Sequence, residues 1–371
     1  MPATHSVDAA RFYSEYKGHP IDQLDTLHDE LSKDADINVF LCGDSSLDNK
    51  HWFFNSFKSK EEQIKRQDGV FAPFVAPAVN GYENILKPPN MVKDVSYWMN
   101  DLAPTCLPGL RTVTLNAAVE ESTIGERVAA KSRSGPGLLP HDEWIQSKLG
   151  SSVGQDVVVL SIGGNDVALR PSVATIASIF TLTRLPLFVI RALGRWSPGF
   201  GHLESLFHGE VEAMVQRLVR PPHSQSSSGG DVHFRPPSLV VVCMIYYLDE
   251  TPGGSWADNV LGWLGYDADP AKLKYAIKLL FDTISAKGFS AKPSKKDNQN
   301  RSTLCGGDEA NSTESCESSI DTQILPFPLF EVLDGTDTND YVQRVEPSVE
   351  GGRKMAGALL DFIAKTLSHD Q

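Results

Sequence analysis

The chain has 371 residues and a formal net charge of −13, with 41% hydrophobic and 22% charged residues. That is an ordinary globular composition with enough apolar residues for a substantial core. The negative balance argues against a nucleic-acid partner and against a general affinity for anionic membranes. The start, MPATHSVDAARFYSEYKGHP, lacks a basic stretch followed by an apolar core, so no secretory signal is expected and a cytoplasmic setting is the simplest reading. Five widely spaced cysteines, Cys42, Cys106, Cys243, Cys305 and Cys316, fit reduced thiols and show no metal-type spacing.

The first strong element is the apolar run Ile37–Cys42 (INVFLC), which reads as a buried parallel strand. It ends in Gly43-Asp44-Ser45-Ser46-Leu47-Asp48-Asn49. Glycine allows a sharp turn there, and Ser45 can stand free beyond the carboxyl edge of the sheet as a nucleophile. A helix cap is the alternative role for Ser45. Ser46 is the fallback nucleophile if the turn lies one residue later, and Asp44 is expected to hold the loop through backbone hydrogen bonds. Asp48 and Asn49 are expected to be structural. A first insertion, about residues 54–100, mixes charge with the Pro/Ala-rich run VFAPFVAPAVNG.

The next strand is expected at about Leu110–Leu115, followed by Asn116-Ala117-Ala118-Val119, and the third at Asp156–Ile162 (DVVVLSI). The third opens into Gly163-Gly164-Asn165-Asp166. Asn165 at such an edge can donate an amide N–H to a developing oxyanion, a contact worth about 2.7–4 kcal/mol in a transition state. The second insertion, about residues 168–237, begins with ATIASIFTLTRLPLFVIRAL. Its length invites a membrane-span reading, but Arg184, Pro186 and Arg191 interrupt it, so a buried helix pair or an apolar cap over the site is expected.

Further strands are expected at Leu239–Tyr247 and about Leu329–Leu333. Between them, residues 292–322 are rich in Ser, Asn, Asp and Gly and read as a disordered surface loop. With no secretory signal expected, the sequons at Asn300 and Asn311 read as chance matches. The last helix, about Val349–Leu367, repeats apolar residues at Met355, Leu359, Phe362, Ile363 and Leu367. Ser348 is placed to cap it. Strands alternating with helices imply an α/β fold with a doubly wound, five-stranded parallel sheet enlarged by helical and loop insertions. The whole chain reads as a single domain, with its core at about residues 37–367.

The pairing of GDSSLDN with GGND, each after a strand and in this order, resembles the SGNH (GDSL-type) hydrolases. The resemblance implies a serine-dependent esterase or lipase-like enzyme that forms an acyl-enzyme on Ser45. It also implies an oxyanion site of the Ser45 and Ala118 backbone N–H groups and the Asn165 amide. Alanine at 118 stands where the family has glycine. The family's last block, Asp-x-x-His before Pro-Ser and a helix, corresponds to Gln343-Arg344-Val345-Glu346-Pro347-Ser348. Glutamate thus occupies the histidine position and glutamine the aspartate position.

An ordinary carboxyl, at about 4.3, is a weak base for serine unless burial raises its pKa. Glu346 beside an apolar cap is the provisional base, with a salt bridge to Arg344 or Arg353 as its structural alternative. Asp334, Asp337 and Asp340, just upstream, are placed either to supply a third member or to hold the loop. His51 and His141 are the other candidate bases. The implied substrate is a small-molecule or lipid-like ester, with no cofactor and no metal. The competing reading is a pseudoenzyme that keeps the fold as a binding module. Acyl transfer to an acceptor other than water shares the same chemistry.

Overall fold

The computed structural model describes residues 6–53, 73–132, 135–221, 234–290 and 322–368. Five strands form one parallel sheet: β1 (Ile37–Gly43), β2 (Thr112–Asn116), β3 (Gln155–Ser161), β4 (Leu239–Met244) and β5 (Gln323–Pro328). Their spatial order is 2-1-3-4-5, and every neighbouring pair is parallel. This is the doubly wound α/β architecture that the alternation of strands and helices implies. The chain leaves β1 toward one side of the sheet and returns beyond it on the other. The crevice between the carboxyl ends of β1 and β3 is therefore the topological switch point, where open α/β sheets bind their ligands.

Side chains alternate across the sheet, as the period-two geometry of a strand requires. Phe40, Val158, Leu160, Val240 and Val242 enter one core layer with Leu24, Leu27, Trp144, Val215 and Leu280. These last residues come from helices Ile21–Leu31, Pro140–Lys148, Val211–Leu218 and Pro270–Lys287. Val39, Leu41, Val157, Val159 and Val241 enter the other layer with Val95, Met99, Met355, Leu359 and Ile363. That layer is covered by helices Val95–Cys106 and Val349–Ser368. With both faces covered, the strands need near-continuous apolar runs, and VFLC and VVVL in β1 and β3 supply them.

Two expectations are corrected. The fifth strand is Gln323–Pro328, and Leu329–Glu331 instead forms a 3-10 turn. Pro326 and Pro328 disguised the strand. β5 is an edge strand, paired only to β4, so prolines whose missing N–H would face outward are tolerated. The second correction concerns the apolar stretch after Ala168. It forms helices Val173–Arg184 and Leu187–Leu193, but these are not a buried pair, since Val173, Phe180 and Phe188 are exposed. Among the described residues no single helix is long and apolar enough to cross a membrane. The loop at 292–321, its two sequons and its two cysteines, and parts of the first and second insertions, lie outside the described residues.

Candidate active site

The turn that carries Ser45 begins at a glycine that no other residue could replace without rearrangement. Gly43 has φ +147°, and a Cβ there would lie 1.9 Å from the Ser161 carbonyl oxygen. Close approach of β1 and β3 at this point lets the Asp44 N–H donate to Ser161 O (3.0 Å). Asp44 then organises the turn. Its Oδ1 accepts from the backbone N–H of Ser46 (3.0 Å) and from the Ser46 hydroxyl (2.7 Å), and its Oδ2 accepts from Gly163 N–H (3.2 Å). Burial pushes its carboxyl up to about 6 despite these bonds. Ser46 is also 2.7 Å from the Ser161 hydroxyl. The Ser46 hydroxyl is thus committed to the turn, whereas Ser45 is free of it.

Ser45 Oγ donates to Glu346 Oε1 at 3.1 Å. Glu346 reaches this position because Glu346–Pro347 pairs antiparallel with Tyr341–Val342. The Tyr246 hydroxyl holds Val345 O (2.7 Å), and Asn49 Nδ2 holds Pro347 O (2.8 Å). Asn49 therefore ties the Ser45 loop directly to the Glu346 loop. Burial, followed by the nearby Asp44 carboxylate, raises the Glu346 pKa well above the carboxylate range, while the Ser45 hydrogen bond pulls the other way. Its second oxygen, Oε2, has no hydrogen-bond partner. Glu346 does not pair with Arg344, whose guanidinium binds Asp258 (2.8 Å) and Asp267 (2.7 Å).

The other candidate bases make other contacts. Nε2 of His141 hydrogen-bonds His19 O at 2.8 Å. His51 packs edge-on against Tyr16 and Trp52. Gln343 turns its side chain to the neighbouring loop, where Oε1 accepts from Trp256 N–H (3.1 Å). Asp334 accepts from Thr336, Asp337 from Asn339 and Lys354, and Asp340 pairs with Lys354 at 2.6 Å. These three acids hold the loop ahead of the last helix.

The two other oxyanion candidates differ. Asn165 is buried, and one N–H of its amide donates to Ser122 O (3.1 Å), which leaves its second N–H. The Ala118 N–H donates to Asn116 Oδ1 at 3.0 Å, so in this arrangement it is not presented to a ligand. Asp166 accepts from Ile124 N–H (2.8 Å) and Gly125 N–H (3.1 Å), and so caps the N-terminus of helix Ile124–Ala129.

Several residues that the sequence motifs do not reveal complete the site. Glu120, two positions after Ala118, is 1% exposed. Its Oε1 accepts from the indole N–H of Trp52 (3.0 Å), while Oε2 is unpartnered. Burial, reinforced by the Glu346 carboxyl, pushes its pKa up to about 10. Trp52 in turn stacks with Trp256 (centroids 6.1 Å apart, planes 23° apart). Arg127 and Asp142, both fully buried, form an ion pair at 2.9 Å, and Arg127 also donates to Gly43 O (2.9 Å). This pair clamps the carbonyl at the start of the Ser45 turn. A lone Glu, Trp or Arg in a loop carries no pattern in sequence, so only the fold brings these groups together.

One group among the described residues has metal-like spacing: His19, Asp48 and Asp94 bring ligand atoms within 4.8 Å of one another. A cation is already built in. The Lys50 ammonium binds both Asp48 oxygens (2.5 and 2.6 Å) and Gly18 O (2.9 Å). Burial and this lysine hold the His19 pKa well below the usual imidazole range.

No protein-family profile and no curated protein sequence matches the chain. Among solved structures, it is similar to Est24, a carbohydrate acetylesterase from Sinorhizobium meliloti, at 13% identity and TM-score 0.37, over 89% of this chain and 99% of that one. It is also similar to the aryl esterase of M. smegmatis in its native form (12% identity, TM-score 0.35) and in an inhibitor-bound form (12%, 0.37). Each of these two comparisons covers 88% of this chain and 98% of the other. At these values the likeness assigns no role to any residue of this chain.

Proposed function

We propose that the chain is a serine-dependent carboxylic ester hydrolase of the SGNH type, acting as a single α/β domain on a small-molecule or lipid-like ester. The observation that supports this best is the 3.1 Å hydrogen bond from Ser45 Oγ to the buried Glu346 carboxyl. A nucleophile and a base must lie within such reach. Glu346, in its ionised form, takes the Ser45 proton as Oγ attacks the ester carbonyl. The negative charge on the tetrahedral carbonyl oxygen is met by the Ser45 backbone N–H and the second N–H of Asn165. Ala118 joins them only if Asn116 releases its N–H. The intermediate collapses, the alcohol leaves with the proton from Glu346, and the acyl group stays on Ser45. Water, deprotonated by Glu346, then releases the acid and restores the serine.

A second reading, a binding module that has lost turnover, is favoured by one observation: the Ala118 N–H is occupied by Asn116. Treatment of the wild-type protein and Ser45→Ala with a fluorophosphonate, beside hydrolysis of p-nitrophenyl acetate, butyrate and octanoate, separates the two. Labelling and turnover that disappear in Ser45→Ala support the hydrolase. No labelling and no turnover between pH 6 and 10 overturn it in favour of the binding module.

A further inference from the structure

The segment from Val167 to Leu203 contains no Asp or Glu and four arginines, in a chain of net charge −13. Within it, helices Val173–Arg184 and Leu187–Trp196 meet at a 110° bend. The first helix is apolar on both sides. Ile179 and Leu182 enter the core beside Thr175 and Ser178, with Thr175 Oγ1 tied to Ser172 and to His202 Nε2 (3.0 Å), while Val173, Ile176 and Phe180 stay exposed. A helix on a water-facing surface places its apolar stripe toward the core and a polar face outward. Exposure is largest at Val173 (85%), Trp196 (80%) and Phe188 (72%). Three bulky apolar side chains this exposed on one bent pair of helices mark an interaction surface rather than the scattered apolar residues of an ordinary one.

The arginines distinguish the partner. Arg184 lies over the Phe180 ring and Arg195 over the Trp196 ring. Arg195 is paired with Glu204, and Arg170 with Glu121 and Glu126, so the charge this face offers comes from Arg184 and Arg191. Arg184 and Arg191 form no ion pair among the described residues. An apolar face flanked by arginines, with tryptophan at its edge, matches an interface of acyl chains below and anionic headgroups above. The same face continues into an apolar cleft lined by Val167, Leu169, Ile176, Val260 and Trp263. That cleft begins two residues after Asn165.

We infer that residues 173–196 form a docking surface for a lipid surface bearing anionic headgroups. The two short helices lie in the interface without crossing it, and the cleft leads from the docked face toward the Asn165 loop. Docking itself does not depend on the chemistry proposed for Ser45, so it is tested on Ser45→Ala as well as on the wild type.

The test is cosedimentation with vesicles of phosphatidylcholine alone and with 30% phosphatidylglycerol, at low and high salt. Both proteins are expected to bind the anionic vesicles and to be released by salt. Phe188→Ser with Trp196→Ser should reduce binding to both vesicle types at least tenfold. Arg184→Gln with Arg191→Gln should reduce binding to the anionic vesicles by roughly 30-fold and remove the preference for them. All four positions are exposed, and unchanged far-UV circular dichroism and melting check that the variants fold. Vesicle binding that these substitutions leave unchanged overturns the proposal. So does an absence of vesicle binding; concentration-dependent self-association that Phe188→Ser/Trp196→Ser abolishes would then make the face a contact between copies of the chain.

Discussion

Ser45 Oγ and Glu346 Oε1 lie 3.1 Å apart although 301 positions separate them in sequence. Both are buried, and the Glu346 carboxyl has a second oxygen without a partner. A serine hydroxyl and a carboxyl in that relation make one proton transfer the central question about this protein, and most of the predictions concern it.

Replacement of Glu346 tests the base directly. Glu346→Gln keeps the shape and removes the ability to accept the proton, so fluorophosphonate labelling of Ser45 should fall by about 10²–10⁴-fold. Glu346→His puts an imidazole at the same place, with its pKa near the working pH. Labelling at pH 7 should then rise about tenfold or more over the wild type. A Glu346→Gln protein that labels at the wild-type rate would exclude Glu346 as the base.

The pH profile follows from the direction of the Glu346 shift. Burial and the Asp44 carboxylate raise its pKa well above the ordinary carboxyl range, so the fraction able to take a proton grows only at a pH above that range. Labelling should increase with pH, with a midpoint above that of an ordinary carboxyl. Stopped-flow or gel-based labelling at constant ionic strength measures this, and Glu346→Gln should flatten the curve.

Stability should move the opposite way. For Glu120 and Glu346 the folded-state pKa is raised by burial, so between about 4.5 and the folded value the native state holds more protons than the unfolded chain. Stability then falls as pH rises, by at most about 1.4 kcal/mol per pH unit for each group. Below about 6.5 the depressed, buried His19 and His28 oppose this trend, because the unfolded imidazoles take up protons that the native ones refuse. The clear window is therefore from about pH 6.5 up to the Glu120 value of about 10. Thermal melts across it should show Tm declining, and less steeply in Glu346→Gln.

Two glycines at the switch point should respond in opposite senses. A Cβ on Gly43 would meet the backbone oxygen of Ser161 at 1.9 Å, so Gly43→Ala should cost about 2–5 kcal/mol or prevent folding. Gly164 has nothing within 4 Å of its ideal Cβ and lies in the short helix Gly164–Ala168. Gly164→Ala should be neutral or stabilising by about 0.4–1 kcal/mol. Urea unfolding of the two variants compares them directly.

The Arg127–Asp142 pair is fully buried and holds Gly43 O. Arg127→Met leaves Asp142 without its counter-charge and should cost about 3–5 kcal/mol. The double variant Arg127→Met/Asp142→Leu should recover much of that stability. It should not recover labelling of Ser45, because the clamp on Gly43 O is still missing. Recovery of both would reduce the pair to a purely structural role.

The sequence by itself determined the sheet and its edge. Runs such as VFLC and VVVL can be satisfied only where both faces of a parallel strand are covered, and Gly-Asp-Ser and Gly-Gly-Asn after them lie at the carboxyl ends because glycine permits the turn. β5 was misplaced by several residues, at Leu329–Leu333 instead of Gln323–Pro328, since prolines on an edge strand look like loop. The order 2-1-3-4-5, which brings the loops after β1 and β3 to one crevice, was decided by packing. So was the nearness of Glu120 and Arg127 to the Ser45 turn, whereas Glu346 was indicated by its place before Pro-Ser and the last helix. Their environment depends on desolvation and on charges from distant segments, which a local pattern does not encode. The same holds for the outward apolar face of Val173–Arg184: periodicity shows which residues share a helix face, but only the fold decides whether that face meets the core or the surroundings.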